Sequence, residues 1–349
     1  MRLSTKPMPV QIEPVDQLEL LQLQEGMSSA YEALLDAQKN LDEVQEVMGN
    51  ITDSMNLITK YGQAGVEQLN VGGDLEELLQ IPAKLITAEK AQEGLGKAAK
   101  ELFVKFCKYI RDLWNKIVDF FTNITKRATN SVRALRAAYK NAGTASEAYS
   151  VDYDDVVTET EWSTVHGSKR KQFYKKLSAE EKAKLGVTVA DVMSIVTSGG
   201  VLLGKVEKEF DRIVHAVFHS NEYGSTFDIG YLDDERTKVA SKAERLSNTP
   251  FPDIKGVNVK HVLEVIKEVW GTNKFVDEVE NIDKKLKMYN EKIDSITKNL
   301  DKMVDVDINE QKLIDIRKAV TNLSSLCKQV ASQTSRCVGW VSRFAKMLV

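Results

Sequence analysis

The chain has 349 residues, of which 42% are hydrophobic and 28% charged, so it is long enough for two or three domains and apolar enough to bury a core. A formal net charge of −3 hides an asymmetry, because residues 1–95 carry 16 acidic and 6 basic residues whereas residues 96–140 carry 3 and 11. Three cysteines without a Cys-x-x-Cys pair argue against a disulfide framework and a zinc ribbon, and neither a signal peptide nor a membrane-spanning helix is expected.

The N-terminal segment repeats an apolar residue at alternating spacings of three and four. This spacing places the side chains on one stripe of a helix, and its length predicts coiled-coil-like packing. The stripe consists of Leu20, Leu23, Met27, Ala30, Leu34, Ala37, Leu41, Val44, Met48, Ile51, Met55 and Ile58. We therefore expect an acidic helical arm over residues 1–93, with a long helix at 16–60 and a second helix at 75–92.

Gly94 and Gly96 predict the next helix break, and a basic amphipathic helix is expected over residues 94–147. One face of this helix is apolar: Leu102, Phe106, Tyr109, Leu113, Ile117, Phe120 and Ile124. Over 102–124 this face either packs inside the protein or lies on a membrane surface, and the first is favoured because any core helix has such a face.

A cationic ridge follows on the same helix and consists of Lys126, Arg133, Arg136 and Lys140. The residues are spaced i, i+7, i+10 and i+14, so they share one side of a helix. Such a ridge either contacts nucleic-acid phosphates without reading their sequence or is an ordinary solvated face. These four residues are the candidate DNA-contacting residues.

Residues 148–271 form a mixed but mostly helical middle region. It begins with a linker candidate at 143–165, and Ser178 and Glu181 predict a capping box at the start of a helix. Gly186 and the pair at 199–200 predict helix breaks. The one plausible strand signal lies around Thr226–Leu232.

Apolar residues return at helical spacing in residues 272–349. The first stripe is Phe275, Val279, Ile282, Leu286, Tyr289, Ile293, Ile296, Leu300 and Met303. The second is Leu313, Ile316, Val320, Leu323, Cys327, Val330, Cys337, Val341, Phe344 and Leu348. A short turn at 304–308 separates the two, which predicts an antiparallel helical hairpin. The fold class is therefore mainly α, with long amphipathic helices in heptad-type packing.

The sequence offers no catalytic constellation and predicts no cofactor or metal. His215 and His219 share one helical face, but the residues between them lack the glutamate of a His-Glu-x-x-His metalloprotease. No nucleophile elbow, phosphate-binding loop or dinucleotide fingerprint occurs. We therefore expect a protein that is not an enzyme.

The acidic heptad arm, the segment at 102–121 and the helical remainder together resemble the internal head (internal virion) proteins of large tailed bacteriophages. The resemblance covers mainly residues 15–125. It implies a structural protein of the head interior, made in the host cytoplasm and located in the virion. It also implies trimming by a prohead protease that cuts after glutamate in a small-or-aliphatic, any, Glu pattern. The matching positions are Glu25, Glu93 and Glu147, with Glu32 as a further match inside a helix.

Two other functions stay open. One is an α-helical pore-forming toxin component, which would also have long heptad helices and an insertable segment. The other is a cytoplasmic coiled-coil adaptor. The partners considered are other head or capsid proteins, nucleic acid through non-specific phosphate contacts, a membrane through 102–124, and a second copy of the chain.

Overall fold

Helices make up almost all of the part of the chain that the computed structural model describes, which is residues 17–70, 74–79, 85–149, 177–218, 232–249, 259–271, 274–303 and 310–348. No strand occurs within these ranges. The helices are α1 (Gln17–Tyr61), α2 (Gln63–Asn70), α3 (Asp74–Leu79), α4 (Ala88–Tyr149), α5 (Ala179–Phe218), α6 (Asp233–Asn248), α7 (Val259–Trp270), α8 (Lys274–Met303) and α9 (Glu310–Leu348). The mainly α fold expected from the sequence is confirmed.

Four long helices, α4, α8, α5 and α9, surround the main core in that order. Each packs against the next, and α9 closes the ring against α4. The side-chain contacts give the directions: Arg111 on α4 meets Asp294 on α8 at 3.2 Å, whereas Thr122 meets Asp283 at 3.5 Å, so α8 runs antiparallel to α4. Their apolar stripes all face inward, which is why one continuous cluster of buried residues joins these helices.

An aromatic cluster marks the centre of this core. The ring of Trp114 lies edge-on to Phe210 at 5.4 Å and to Tyr289 at 6.4 Å. The polar atoms of these rings are satisfied, because Trp114 Nε1 donates to Ser324 Oγ at 2.7 Å and the Tyr289 hydroxyl donates to the Leu203 carbonyl at 2.5 Å. One residue from each of the four helices therefore fixes their relative height.

Helix α1 covers the outside of the α4–α9 seam. It runs antiparallel to α4, since Gln92 Nε2 contacts Thr59 Oγ1 at one end while the ring of Tyr31 packs on Phe120 at the other. The buried members of its stripe include Met27, Leu34, Ala37, Leu41, Val44, Met48, Ile51 and Ile58. Full burial of an aliphatic side chain is worth about 1.5–3 kcal/mol, so this stripe explains why α1 stays on the bundle.

A second, smaller core lies where α1, α2, α3 and the start of α4 meet. Gly62 reverses the chain between α1 and α2 with φ 55°, a conformation that glycine adopts without a Cβ clash. The Gln63 side chain then accepts from Ala88 N at 3.0 Å and so caps the start of α4. This core is built from Ile51, Ile58, Val66, Leu75, Ile86, Ala91 and Leu95.

The helix breaks predicted at glycines are wrong. Gly94 and Gly96 lie inside α4, and Gly186 and the pair at 199–200 lie inside α5. A glycine costs a helix only about 1 kcal/mol, which the burial of neighbouring side chains offsets. Gly199 also permits close packing, because a Cβ there would lie 3.0 Å from Val330 Cγ1 on α9.

The helix expected over 75–92 is also wrong, because α3 ends at Leu79 and α4 begins at Ala88. Pro82 lies between them and has no N–H for an intrahelical hydrogen bond. In contrast, the capping box at Ser178 is confirmed: Ser178 N donates to Glu181 Oε2 at 2.8 Å and Glu181 N donates to Ser178 Oγ at 3.2 Å.

The predicted pairing of α8 with α9 in a hairpin is not confirmed. The two helices run in opposite directions, but they lie diagonally across the core and each packs mainly on α4 and α5. Their turn at 304–308 lies outside the described residues, as does almost all of the expected strand, of which only Leu232 is described. The division of the chain into four domains stays a prediction, although α4 continues across residue 93.

Candidate anion-binding surface

The cationic ridge lies on the C-terminal half of α4. Lys126, Arg133 and Arg136 are exposed there, and Arg133 Nη1 lies 3.4 Å from Asn130 Oδ1. Lys140 belongs to the same helix, but its side chain is outside the described residues. The structure therefore places the described ridge residues together on one helical surface.

A second basic segment, which the sequence reasoning missed, lies on the neighbouring helix α9. After Asp315 the chain carries six lysine and arginine residues and no acidic residue up to its last position: Arg317, Lys318, Lys328, Arg336, Arg343 and Lys346. Residues 120–146 of α4 likewise carry five basic residues and no acidic one. A count of acidic residues along α9 would have found this segment.

The fold brings these two basic segments to the same end of the bundle. Trp114 contacts Ser324, and further along Arg127 and Arg336 line one cleft, so α4 and α9 run parallel. The neighbouring helix α8 is antiparallel to α4, so its first turns lie at the same end and bring Asp277, Glu278, Glu280 and Asp283 there; the Asp283 carboxylate is held by Lys287 Nζ at 2.6 Å. We call the C-terminal halves of α4 and α9, residues 120–146 and 332–346, the basic end. Clustered positive charge of this kind attracts phosphates.

A cleft opens in the basic end between α1, α4 and α9. It has a volume of about 340 Å³ and is lined by Met27, Ser28, Tyr31, Phe120, Arg127, Ser332, Ser335 and Arg336. The spacing of Ser28 and Tyr31, of Phe120 and Arg127, and of Ser332, Ser335 and Arg336 puts each set on one face of its helix. The cleft thus combines two guanidinium groups, the hydroxyl groups of three serines and the partly exposed ring of a tyrosine.

Arg127 is the half-buried residue of this cleft. Its pKa is held below the usual value by burial and by the positive charge of Arg343. Its Nη1 contacts the Met27 sulfur at 3.4 Å, which is a weak acceptor. A guanidinium group that is partly desolvated beside a second cation is stabilised by any anion that enters the cleft.

The apolar face at 102–124 belongs to the core. Phe106, Ile110, Leu113, Ile117 and Ile124 are all buried within the bundle. Because α1, α8 and α9 cover this face, a membrane could contact it only after the bundle opened. The interpretation that the sequence favoured, in which this face packs inside the protein, therefore holds for the folded state.

Within the part of the chain that the structure describes, one helix has the length and composition of a membrane span. It is the segment Ala179–His215 of α5, and half of its most apolar window is buried. The buried residues pack against α7, α8 and α9, as expected of a core helix. The expectation that no helix spans a membrane stays a prediction.

The candidate cleavage sites lie in helices. Glu25 is exposed on α1, and Glu93 is exposed on α4, where its carboxylate contacts Lys97 Nζ at 2.9 Å and its pKa is lowered by that hydrogen bond. Glu147 lies in the last turn of α4, although its side chain is outside the described residues. Of the three, Glu147 lies closest to the end of its helix, where the backbone opens most easily into the extended form that a protease requires.

No group of three or more metal-ligating side chains occurs among the described residues, and His219 lies outside them. Cys107, Cys327 and Cys337 are buried and form no disulfide. Burial raises the pKa of Cys327 and Cys337 and so keeps both protonated.

Comparisons with known protein families, with characterised proteins and with solved structures found no match for this chain.

Proposed function

We propose that the chain is a non-enzymatic structural protein of the head interior of a large tailed bacteriophage. It is made in the host cytoplasm, is packaged in the virion, and contacts other head proteins and the packaged DNA. The proposal rests on the resemblance in layout to internal head proteins. A long helical bundle with a well-packed aromatic centre is a scaffold suited to such a role.

The observation that carries the DNA contact is the basic end. Lys126, Arg133 and Arg136 on α4 and Arg336 and Arg343 on α9 are exposed on parallel neighbouring helices. Each cation that neutralises a phosphate releases a condensed counterion, so the contact would be non-specific and would weaken with salt.

A DNA-binding experiment on the full chain tests this contact. Replacing Lys126, Arg133 and Arg136 together by glutamine should weaken duplex DNA binding at least tenfold at low salt, and should flatten the salt dependence by about 0.9 in log–log slope per lost phosphate contact. The matched control replaces Lys39 and Lys60, which are exposed on α1, together with the exposed Lys182 on α5.

The two triple variants have the same net charge, so they separate a local contact from a general charge effect. We expect the control to bind within about twofold of the unmodified chain. An equal loss of DNA affinity in both triple variants would contradict the DNA contact. So would a failure of the unmodified chain to bind DNA. Mass spectrometry of purified virions tests the location independently.

A pore-forming component is the second candidate, and the apolar segment Ala179–His215 is the observation that favours it. Insertion would require α5 to leave the core, because Tyr289 and Lys285 on α8 both donate hydrogen bonds to its backbone carbonyls. Leakage of dye from liposomes by the purified chain would support this candidate over the structural one.

A further inference from the structure

The cleft of the basic end has walls from three helices that carry complementary groups. Helix α1 supplies Ser28 and Tyr31, α4 supplies Arg127, and α9 supplies Ser335 and Arg336. The two arginines come from different helices, so a group held between them is approached from two sides. The serines add hydroxyl donors near the same space, which suits an anion with several oxygen acceptors.

The dimensions and the aromatic edge argue for more than a bare anion. A volume of about 340 Å³ is near the lower limit of small-ligand sites, which is roughly 300–1,000 Å³. Tyr31 is 38% exposed, and its ring packs on the ring of Phe120, tilted by 45° at a centroid distance of 5.5 Å. A supported, partly open aromatic ring next to arginines is the arrangement on which nucleobases stack beside their phosphates.

We propose that this cleft binds the phosphate group of a nucleotide between Arg127 and Arg336, with the base against Tyr31. A phosphate matches guanidinium groups in charge and in bidentate geometry, which lysine does not offer. The nucleotide is either free or a unit of a single strand, and the recognising chemistry is the same in both. This site shares Arg336 with the basic end, but it does not depend on the phage assignment, because its argument uses neither the resemblance nor Lys126, Arg133 and Arg136.

The energetic state of Arg127 agrees with this occupant. Burial and the charge of Arg343 both disfavour its positive charge in the free protein. A bound phosphate would offset both effects, whereas a neutral ligand would offset neither. A binding residue often lowers the stability of the free protein, and its ligand offsets that loss. The charge of Arg127 has this property.

Isothermal titration of the full chain tests the site with three probes: a deoxynucleoside monophosphate, inorganic phosphate, and a short single-stranded oligodeoxynucleotide. We expect the mononucleotide to bind, and to bind more tightly than inorganic phosphate. Arg336→Gln should weaken binding roughly tenfold or more, the usual effect of losing a charged hydrogen bond. The control Lys39→Gln removes an exposed positive charge of α1 outside the basic end and should change the affinity by less than about twofold.

Arg127→Met provides the readout that separates binding from structure. It removes the half-buried charge at similar side-chain length, so it should abolish nucleotide binding while leaving the melting temperature unchanged or higher. A lower melting temperature would mean that Arg127 stabilises the fold, and this would overturn its proposed role.

The relative affinities of the three probes identify the source of the nucleotide and test the site itself. Tighter binding of the oligodeoxynucleotide than of the mononucleotide, with the same loss in Arg336→Gln, supports the site with a strand as its source. Equal affinity for both supports the site with a free nucleotide as its source. No mononucleotide binding, equal affinity for inorganic phosphate, or a loss of affinity in Lys39→Gln as large as that in Arg336→Gln would overturn the proposal.

Discussion

Replacing Ser324 by alanine perturbs the centre of the four-helix core at a single atom. Ser324 is fully buried, and its Oγ accepts a hydrogen bond from Trp114 Nε1 at 2.7 Å while donating to the Val320 carbonyl at 2.6 Å. Alanine would leave the indole N–H buried without this acceptor. Such an unsatisfied group costs about 1–3 kcal/mol, which is the loss in free energy of unfolding that we expect.

Urea unfolding followed by tryptophan fluorescence measures this loss. Unfolding entropy of roughly 2.1 cal/mol/K per residue over the 349-residue chain converts it to a fall in melting temperature of about 1–4 °C. The control is Ser325→Ala, one residue further along α9 and exposed, which should change stability by less than about 0.5 kcal/mol.

A double-mutant cycle with Trp114→Phe identifies the cause. Phenylalanine removes the indole donor, so Ser324→Ala in that background should cost only a few tenths of a kcal/mol. An equal cost in both backgrounds would refute the reasoning, because the effect would then not come from the hydrogen bond. A Ser325→Ala effect as large as that of Ser324→Ala would refute it as well.

Three further outcomes are expected. Insertion of one residue after Tyr289 rotates the rest of the α8 stripe by about 100° and should lower the melting temperature; an unchanged value would argue against this packing. If the chain is a head protein that is trimmed, peptides from mature particles should begin at Ala148 more often than at Gly94, because the bond after Glu147 lies in the last turn of α4 and the bond after Glu93 lies further inside that helix; intact chains would show that the motifs are accidental. Burial raises the pKa of the Cys327 and Cys337 thiols, so above about pH 8.5 the unfolded chain loses protons that the folded chain keeps, and the free energy of unfolding should fall with rising pH. Replacing both cysteines by alanine should reduce the fall of the urea midpoint with pH. An unchanged pH dependence of the midpoint would contradict this prediction.

Local patterns predicted some features well and others poorly. The stripe from Met27 to Ile58 and the capping box at Ser178 were predictable, because helical periodicity and reciprocal hydrogen bonding act within a few residues. Glycine gave wrong helix breaks, since its local cost of about 1 kcal/mol is smaller than the packing gained around it. At Gly199 the missing Cβ is what lets α9 approach α5.

The sequence by itself determined that the chain is helical, which face of each long helix is apolar, and where basic residues concentrate on α4. It did not determine which helices become neighbours, because an apolar stripe specifies that a face is covered and not which partner covers it. Only the tertiary structure placed α8 and α9 diagonally across the core and set α9 parallel to α4. That arrangement joins Arg127 to Arg336, which are more than 200 positions apart in the sequence, and so creates the cleft.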